Sequence, residues 1–146
     1  MTESHELFSD GAAYERMMGR WSRVAGKSFL DWLELPSGLC CLDVGCGNGA
    51  FTEELIARCA PASVMGLDPS EQQIAYARQR PGAKVAEFRV GDAQVLPFAD
   101  GTYDAALMAL VVAFLSDPAK AVAEMARVVR PGGWVATYMW DIAGGG

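Results

Sequence analysis

The feature that most constrains the fold is a cluster of three glycines, Gly45, Gly47 and Gly49, within five residues. The apolar run Leu39 to Val44 precedes it, and an amphipathic segment follows from Ala50. Glycines allow a sharp turn and a close approach to the main chain, so we expect a buried strand, a tight turn and a helix. Amides at the start of a helix attract phosphate, carboxylate or ribose oxygens, which makes this a candidate nucleotide site. Alone, the turn also fits an ordinary strand-to-helix connection.

Composition indicates a single globular domain. The chain has 146 residues, 51% of them apolar, which is enough to bury a core. Its net charge of −6 and the absence of any basic run argue against nucleic acid or an anionic membrane surface as the main partner. The longest apolar stretch, Ala105 to Leu115, is too short to span a bilayer and is internal, unlike a signal peptide. We expect a cytoplasmic protein.

The cysteines and the histidine do not suggest a metal site. Cys40, Cys41, Cys46 and Cys59 lack metal-ligand spacing, and we expect reduced core thiols, with Cys40 and Cys41 on opposite faces of a strand. His5, the single histidine, lies in a polar tail, which argues against a histidine-based triad or zinc site.

Strands and helices alternate along the chain. The predicted strands are residues 39–44, 63–67, 84–90, 103–108 and 134–140. The predicted helices are residues 51–59, a helix from the Ser70 and Gln73 capping pattern to Arg80, and a helix from Asp117 to Pro131. This alternation predicts an α/β, doubly wound parallel sheet covered on both faces. Ligands bind such sheets beyond the carboxyl ends of the strands, where the winding reverses.

The N-terminal segment has helical spacing from Tyr14 to Leu35, either as one helix or as two that meet near Gly26. We expect residues 1–36 to form a helical cover and residues 37–146 a Rossmann-like domain, together one compact unit. Tyr14, Arg20 and Trp21 are candidates for a lid over a ligand.

Three aspartates fall at or near the predicted strand tips. Asp68 lies 19 residues after Gly49 and could accept both hydroxyl hydrogens of an adenosine ribose, or simply shape the turn before Pro69. Asp92 is placed to accept from an adenine amino group, with the Ala93 amide beside it. Asp43 could either brace the glycine turn or approach an amino group.

These motifs resemble class I S-adenosylmethionine-dependent methyltransferases, most closely the small-molecule type 11 branch. The matching segments are Leu42 to Gly49, Asp68, Gly91 to Ala93, Tyr103 with Asp104, Arg130 to Gly133 and the lead-in Tyr14 to Ser22. The match spans nearly the whole chain in the family's order.

The resemblance implies S-adenosylmethionine as cofactor, S-adenosylhomocysteine as product and a small-molecule methyl acceptor. The implied contacts are Gly45 and Gly47 at the methionine, Asp68 with Pro69 at the ribose, Asp92, Ala93 and Gln73 at the adenine, and Met108 or Ala109 at the floor. Family chemistry is a direct displacement at the methyl carbon, which depends mainly on alignment and needs no protein nucleophile. A base serves only an acceptor that must lose a proton, and no Asp, Glu or Tyr is singled out for it.

Family members continue past strand five into a helix and two further strands, one of them antiparallel, whereas this sequence ends at Gly146. We therefore expect a five-stranded sheet that lacks this pair. Strand five, with Trp134, Tyr138 and Trp140, would then be an apolar edge, and we expect a homodimer through it or its adjoining face.

Two other functions fit parts of the sequence. A truncated relative could bind the cofactor or oligomerise without an acceptor pocket of its own. A nicotinamide dehydrogenase is the other alternative, because the glycines and Ala50 also fit the dinucleotide fingerprint. The helical lead-in, Asp43 and the lack of a second domain fit the dehydrogenase poorly.

Overall fold

The computed structural model describes residues 23–109 and 115–138. The described chain begins in helix α1, over residues 23–33. It continues through β1 (Cys40–Val44), α2 (Ala50–Cys59), β2 (Ser63–Asp68), α3 (Glu71–Arg78), a 3-10 turn (Pro81–Ala83), β3 (Ala86–Val90), β4 (Tyr103–Ala109), α4 (Pro118–Val128) and β5 (Val129–Tyr138). The proposed lid residues Tyr14, Arg20 and Trp21, and Trp140 of the predicted fifth strand, lie outside the described residues.

The five strands form one parallel sheet in the order β3-β2-β1-β4-β5. This confirms the predicted doubly wound α/β fold. The winding reverses between β1 and β4, where Val44 lies opposite Leu67 on one side and Met108 on the other. The last residues of three strands therefore meet at one edge of the sheet, which is the position that open α/β sheets use for ligands.

Each face of the sheet is covered by a separate core. The α4-side core contains Leu42, Val44, Ala106 and Met108 of the sheet with Ala121, Met125 and Val128 of α4. The α2-side core contains Cys41, Ala105 and Leu107 of the sheet with Phe29 and Leu30 of α1 and Leu55 and Cys59 of α2. This alternation along β1 and β4 follows from the two-residue period of a strand, and it points Asp43 toward the α2 side.

Helix α1 runs through Gly26 without a break over the described residues 23–33, so no helix boundary falls at Gly26 itself. Gly26 is buried, and a β-carbon on it would lie 3.2 Å from Phe51 Cδ1 and 3.5 Å from the Tyr138 hydroxyl. The absence of a side chain thus lets α1 pack closely on α2 and β5. The packing of α1 on α2 and β5 therefore explains why position 26 is a glycine better than local chain flexibility does.

Strand β5 begins five residues earlier than predicted, and α4 ends at Val128 rather than at Pro131. Val129 already has extended dihedrals, φ −95° and ψ 137°, and pairs with Tyr103. The register then shifts between Tyr103 and Ala105, so Pro131 and its glycines occupy an irregular part of the strand rather than a helix end. The other predicted strand boundaries differ from the structure by two residues at most.

The cysteines behave as predicted. Cys40 packs against the α4-side core and Cys41 lies in the α2-side core, so the two thiols face opposite sides of β1. All four cysteines are free thiols. Within the described ranges, no cluster of His, Cys, Asp and Glu side chains could hold a metal ion. No helix in the same ranges is long and apolar enough to cross a membrane.

Candidate functional site

The glycine turn has a left-handed backbone and is tied to the end of β2. Gly45, Gly47 and Gly49 have φ of 70°, 54° and 88°, all in the left-handed region that favours glycine. The amides of Gly45 and Cys46 both donate to the Leu67 carbonyl, at 2.7 and 3.0 Å. These bonds hold the turn at the carboxyl edge of the sheet.

Two of these glycines have different surroundings. A β-carbon on Gly47 would have no atom within 4 Å, so the space beside its main chain is open. A β-carbon on Gly49 would lie 3.1 Å from Ala77 Cβ and 3.1 Å from Arg80 Cδ. Gly49 therefore allows α3 to pack against the start of α2, whereas Gly47 leaves its main chain open to a ligand.

Asp68, at the tip of β2, connects three parts of the site. Its Oδ1 accepts from the Gly47 amide and its Oδ2 from the Ser70 amide, each at 3.0 Å. Its own carbonyl accepts from the Gly91 amide at 3.0 Å, which links the tips of β2 and β3. Each carboxylate oxygen has a second lone pair, so the half-buried Asp68 can still accept from a ligand hydroxyl.

Asp43 is the most unusual polar group of the site. It is 1% exposed, its Oδ2 accepts from the Thr52 hydroxyl at 2.6 Å, and its Oδ1 has no partner among the described residues. Burial, with a smaller contribution from the Asp68 charge, raises the pKa of Asp43 from 3.8 to about 7, against the opposing effect of the Thr52 hydrogen bond. A buried carboxylate oxygen without a donor is costly unless a ligand supplies one.

The remaining predicted contacts are spread over the β2, β3 and β4 tips. Asp92 is exposed and its Oδ1 accepts from the Gln94 amide at 2.8 Å, while Ala93 is buried. Gln73 is exposed in the first turn of α3, where its backbone amide donates to the capping hydroxyl of Ser70 at 3.2 Å. Pro69 is exposed beside Asp68.

Met108 and Ala109, the two alternatives for the floor, have different environments. Met108 is fully buried in the α4-side core, whereas Ala109 is half-buried and lines a cavity. Ala109 is thus the one that reaches open space.

A cavity of about 290 Å³ lies against the glycine turn. Its wall combines the turn with the start of α2, α1 and the tips of β4 and β5: Arg23, Gly26, Gly45, Cys46, Asn48, Ala50, Phe51, Glu54, Arg80, Ala109 and Tyr138. Asp68 and Asp92 are not part of this wall. The turn therefore borders the cavity, whereas the two strand-tip aspartates lie outside its lining.

Tyr138 closes the cavity at the end of β5. Its ring packs on Phe29 with a centroid distance of 4.5 Å and lies 6.5 Å from the Phe51 ring. Burial, and to a smaller extent the Asp43 charge, raises the pKa of Tyr138 to about 12. This phenol stays protonated near neutral pH, which makes it a hydrogen-bond donor rather than a base.

Sequence reasoning missed two supports of the turn. One is Thr52, whose only sequence signal is a hydroxyl beside the apolar face of α2. The other is Arg80, whose Nε donates to the Asn48 carbonyl at 2.7 Å and whose guanidinium pairs with Glu53. Glu53 also accepts from the Gly82 amide at 3.0 Å, so α2, α3 and the turn are clamped together.

Known proteins are similar to this chain in sequence and in fold. A family model described as a methyltransferase domain, of type 11, matches residues 42–137. The malonyl-[acyl-carrier protein] O-methyltransferase of Pectobacterium atrosepticum is 33% identical over 93% of this chain and 54% of its own length. The ubiquinone/menaquinone biosynthesis C-methyltransferase UbiE of Dinoroseobacter shibae is 34% identical over 80% of this chain and 48% of its own length.

A solved structure shows the same likeness. The SAM dependent methyltransferase from Aquifex aeolicus superposes with a TM-score of 0.70 at 28% identity, over 79% of this chain and 63% of that one. The chain spans about half the length of the two curated relatives. The family model covers about two thirds of the chain, in the segment that carries the glycine turn, both strand-tip aspartates and the reversal of winding. The chain therefore belongs to the methyltransferase domain family.

Proposed function

We propose that the protein binds S-adenosylmethionine and transfers its methyl group to a small-molecule acceptor, leaving S-adenosylhomocysteine. The observation that carries this proposal is the pairing of the open Gly47 main chain with the Asp68 carboxylate, joined by a hydrogen bond of 3.0 Å. A ligand that lies along the glycine turn meets this carboxylate where β2 ends. Family membership supports the same cofactor.

The residues present fit the parts of that cofactor. Asp68 would accept from the ribose hydroxyls through its remaining lone pairs, with Pro69 beside it. Asp43 Oδ1, which is buried without a partner in the described residues, would accept from the methionine ammonium. Asp92, Ala93 and Gln73, around the tip of β3 and the start of α3, would surround the adenine. Ala109 and Tyr138 border the cavity where the methyl group and its acceptor would meet.

The cofactor supplies the activated methyl group when bound, and the protein supplies alignment. Direct displacement at a methyl carbon needs no protein nucleophile, and holding two reactants in line can contribute on the order of 7 to 11 kcal/mol. The protonated Tyr138 fits a role in orienting an acceptor. We assign no general base.

Ligand-induced stabilisation tests the cofactor. S-adenosylhomocysteine should raise the melting temperature of the protein and NAD should not, since a ligand at a hundred times its Kd stabilises by about 2.7 kcal/mol. Methyl transfer from labelled cofactor to a pool of small acceptors should accompany binding. Stabilisation by NAD alone would support the dehydrogenase instead, and binding without turnover on any acceptor would support the cofactor-binding module.

A matched pair of glycine variants shows whether the ligand lies on the turn. Gly47 and Gly38 both have positive φ, 54° and 81°, and a β-carbon on either would meet no atom within 4 Å. Alanine at either position should therefore cost a similar amount of stability, on the order of 1 kcal/mol. Only Gly47→Ala should weaken binding of S-adenosylhomocysteine, by tenfold or more. Equal affinities in the two variants would place the ligand elsewhere.

We also propose that residues 1–36 serve as the cover of the cofactor domain, 37–146, and that two copies associate through β5. Within the described residues β5 pairs with β4 on one side and has no strand on the other, which supports an association surface there. The free thiols fit a reducing, cytoplasmic compartment. Sedimentation at micromolar concentration should show a dimer with slow amide exchange in β5, and a monomer with rapid exchange would contradict it.

A further inference from the structure

Thr52 is a polar residue fully buried beneath the glycine turn. It lies in the first turns of α2, between the half-buried Phe51 and the fully buried Leu55, and is itself 0% exposed. Its hydroxyl donates to Asp43 Oδ2 at 2.6 Å, across the gap between α2 and β1. This bond fixes the rotation of the Asp43 carboxyl group, because one of its two oxygens is held by a donor that cannot move away from the packed helix.

The second oxygen of Asp43 is free to accept a hydrogen bond from a ligand. Oδ1 is buried and has no donor among the described residues. Among the residues that the structure describes, the ionisable groups whose charges act on Asp43, or on which it acts, are Asp68 from β2, Tyr138 from β5, and Cys41 and Cys46 from β1 and the turn. All of them are neutral or negative. None of the ion pairs found in residues 23–109 and 115–138 includes Asp43.

We propose that Thr52 is a positioning residue that holds Asp43 with one oxygen free, so that the ammonium of the entering cofactor displaces a proton from Asp43. The proposal rests on the proposed function, because it needs a ligand that carries an amino-acid ammonium. No covalent bond forms or breaks: the ammonium enters as the cation, the carboxyl group loses its proton to solvent, and an ion pair replaces a neutral acid. Cofactor binding is therefore linked to pH.

The expected linkage has a definite sign. The pKa of Asp43 lies at about 7 without ligand, so about half of the molecules carry the proton at neutral pH. Binding should release about half a proton per ligand at pH 7 and nearly a whole one about two pH units lower. Affinity should consequently fall as the pH falls, by about 25-fold between pH 7.5 and pH 5.5.

Two ligands separate the contribution of the amino-acid group from that of the adenosine and the thioether. S-adenosylhomocysteine carries the amino-acid group, whereas 5′-methylthioadenosine has the same adenosine and thioether without it. Calorimetric titrations in two buffers of different ionisation enthalpy count the protons released by each ligand. We expect proton release and pH-dependent affinity for S-adenosylhomocysteine, and neither for 5′-methylthioadenosine.

Variants of Thr52 test its own role. Thr52→Val keeps the shape and removes the hydroxyl, and Thr52→Ser keeps the hydroxyl. The Thr52 hydrogen bond lowers the pKa of Asp43, so its loss should move the affinity profile for S-adenosylhomocysteine to higher pH. Thr52→Ser should restore the wild-type profile. A purely structural role would instead weaken both ligands at every pH and leave the profile in place.

The outcomes are distinguishable. If both ligands bind and neither releases a proton, the ammonium does not reach Asp43 and the inference is wrong, while the proposed cofactor stands. If neither ligand binds, both the inference and the proposed function are wrong. Should Thr52→Val fail to fold, the proton count for wild-type protein with the two ligands still decides the matter.

Discussion

Asp68→Ala should abolish the stabilisation of the protein by S-adenosylhomocysteine. The variant loses the acceptor proposed for both ribose hydroxyls, and it also frees the amides of Gly47 and Ser70 that the carboxylate now holds at 3.0 Å. Hydrogen bonds to a charged group contribute about 1.5 to 3 kcal/mol each, so affinity should fall by 100-fold or more. Titration of the variant with the ligand measures this loss directly.

A second aspartate controls for loss of charge alone. Asp100 lies before β4, at the opposite edge of the sheet, where it pairs with Arg127 at 2.8 Å and its side chain is 82% exposed. Asp100→Ala removes the same charge from the chain but should leave affinity unchanged. The melting temperature without ligand shows how much of the Asp68 effect is structural. Unchanged affinity in Asp68→Ala would mean that the ribose lies elsewhere.

Asp43→Asn should make the free protein more stable at neutral pH and the ligand complex weaker. The pKa of Asp43 is raised from 3.8 to about 7, which corresponds to about 4 kcal/mol of unfolding free energy. Because the folded-state pKa is the higher one, the stability that protonated Asp43 provides is fully present below pH 3.8 and is lost as the pH rises to about 7. The side-chain amide of the variant cannot ionise, so the variant keeps this stability as the pH rises.

Denaturant unfolding over a pH series tests this prediction. The difference in unfolding free energy between Asp43→Asn and wild type should be small near the lower pKa, grow up to about pH 7 and then stay constant, near 4 kcal/mol. Affinity for S-adenosylhomocysteine should drop by at least tenfold in the variant. A difference in stability that does not change with pH would show that folding does not raise the pKa of Asp43.

The sequence predicted the path of the chain well because its signals are local. The glycine turn, the helix caps at Ser70 and Asp117 and the alternation of strands and helices each depend on neighbouring residues, and the structure contains all of them. The position of Asp68 also followed, since the end of a strand and the start of a helix fix it between them.

Contacts between distant segments could not be predicted in this way. Gly26 suggested a break in a helix, but its reason lies in Phe51 and Tyr138, which are remote in sequence. The early start of β5 depends on its pairing with Tyr103. The Thr52 hydroxyl would fit an exposed position of α2 equally well, and only the packing of α2 on β1 brings it to Asp43.

A crystal structure of the protein with S-adenosylhomocysteine tests the central claim most directly. The account predicts that the ligand lies along the glycine turn, with its ribose hydroxyls within hydrogen-bond distance of the Asp68 carboxylate and its ammonium beside Asp43 Oδ1. A ligand bound away from the turn, or a ribose that does not contact Asp68, would contradict it.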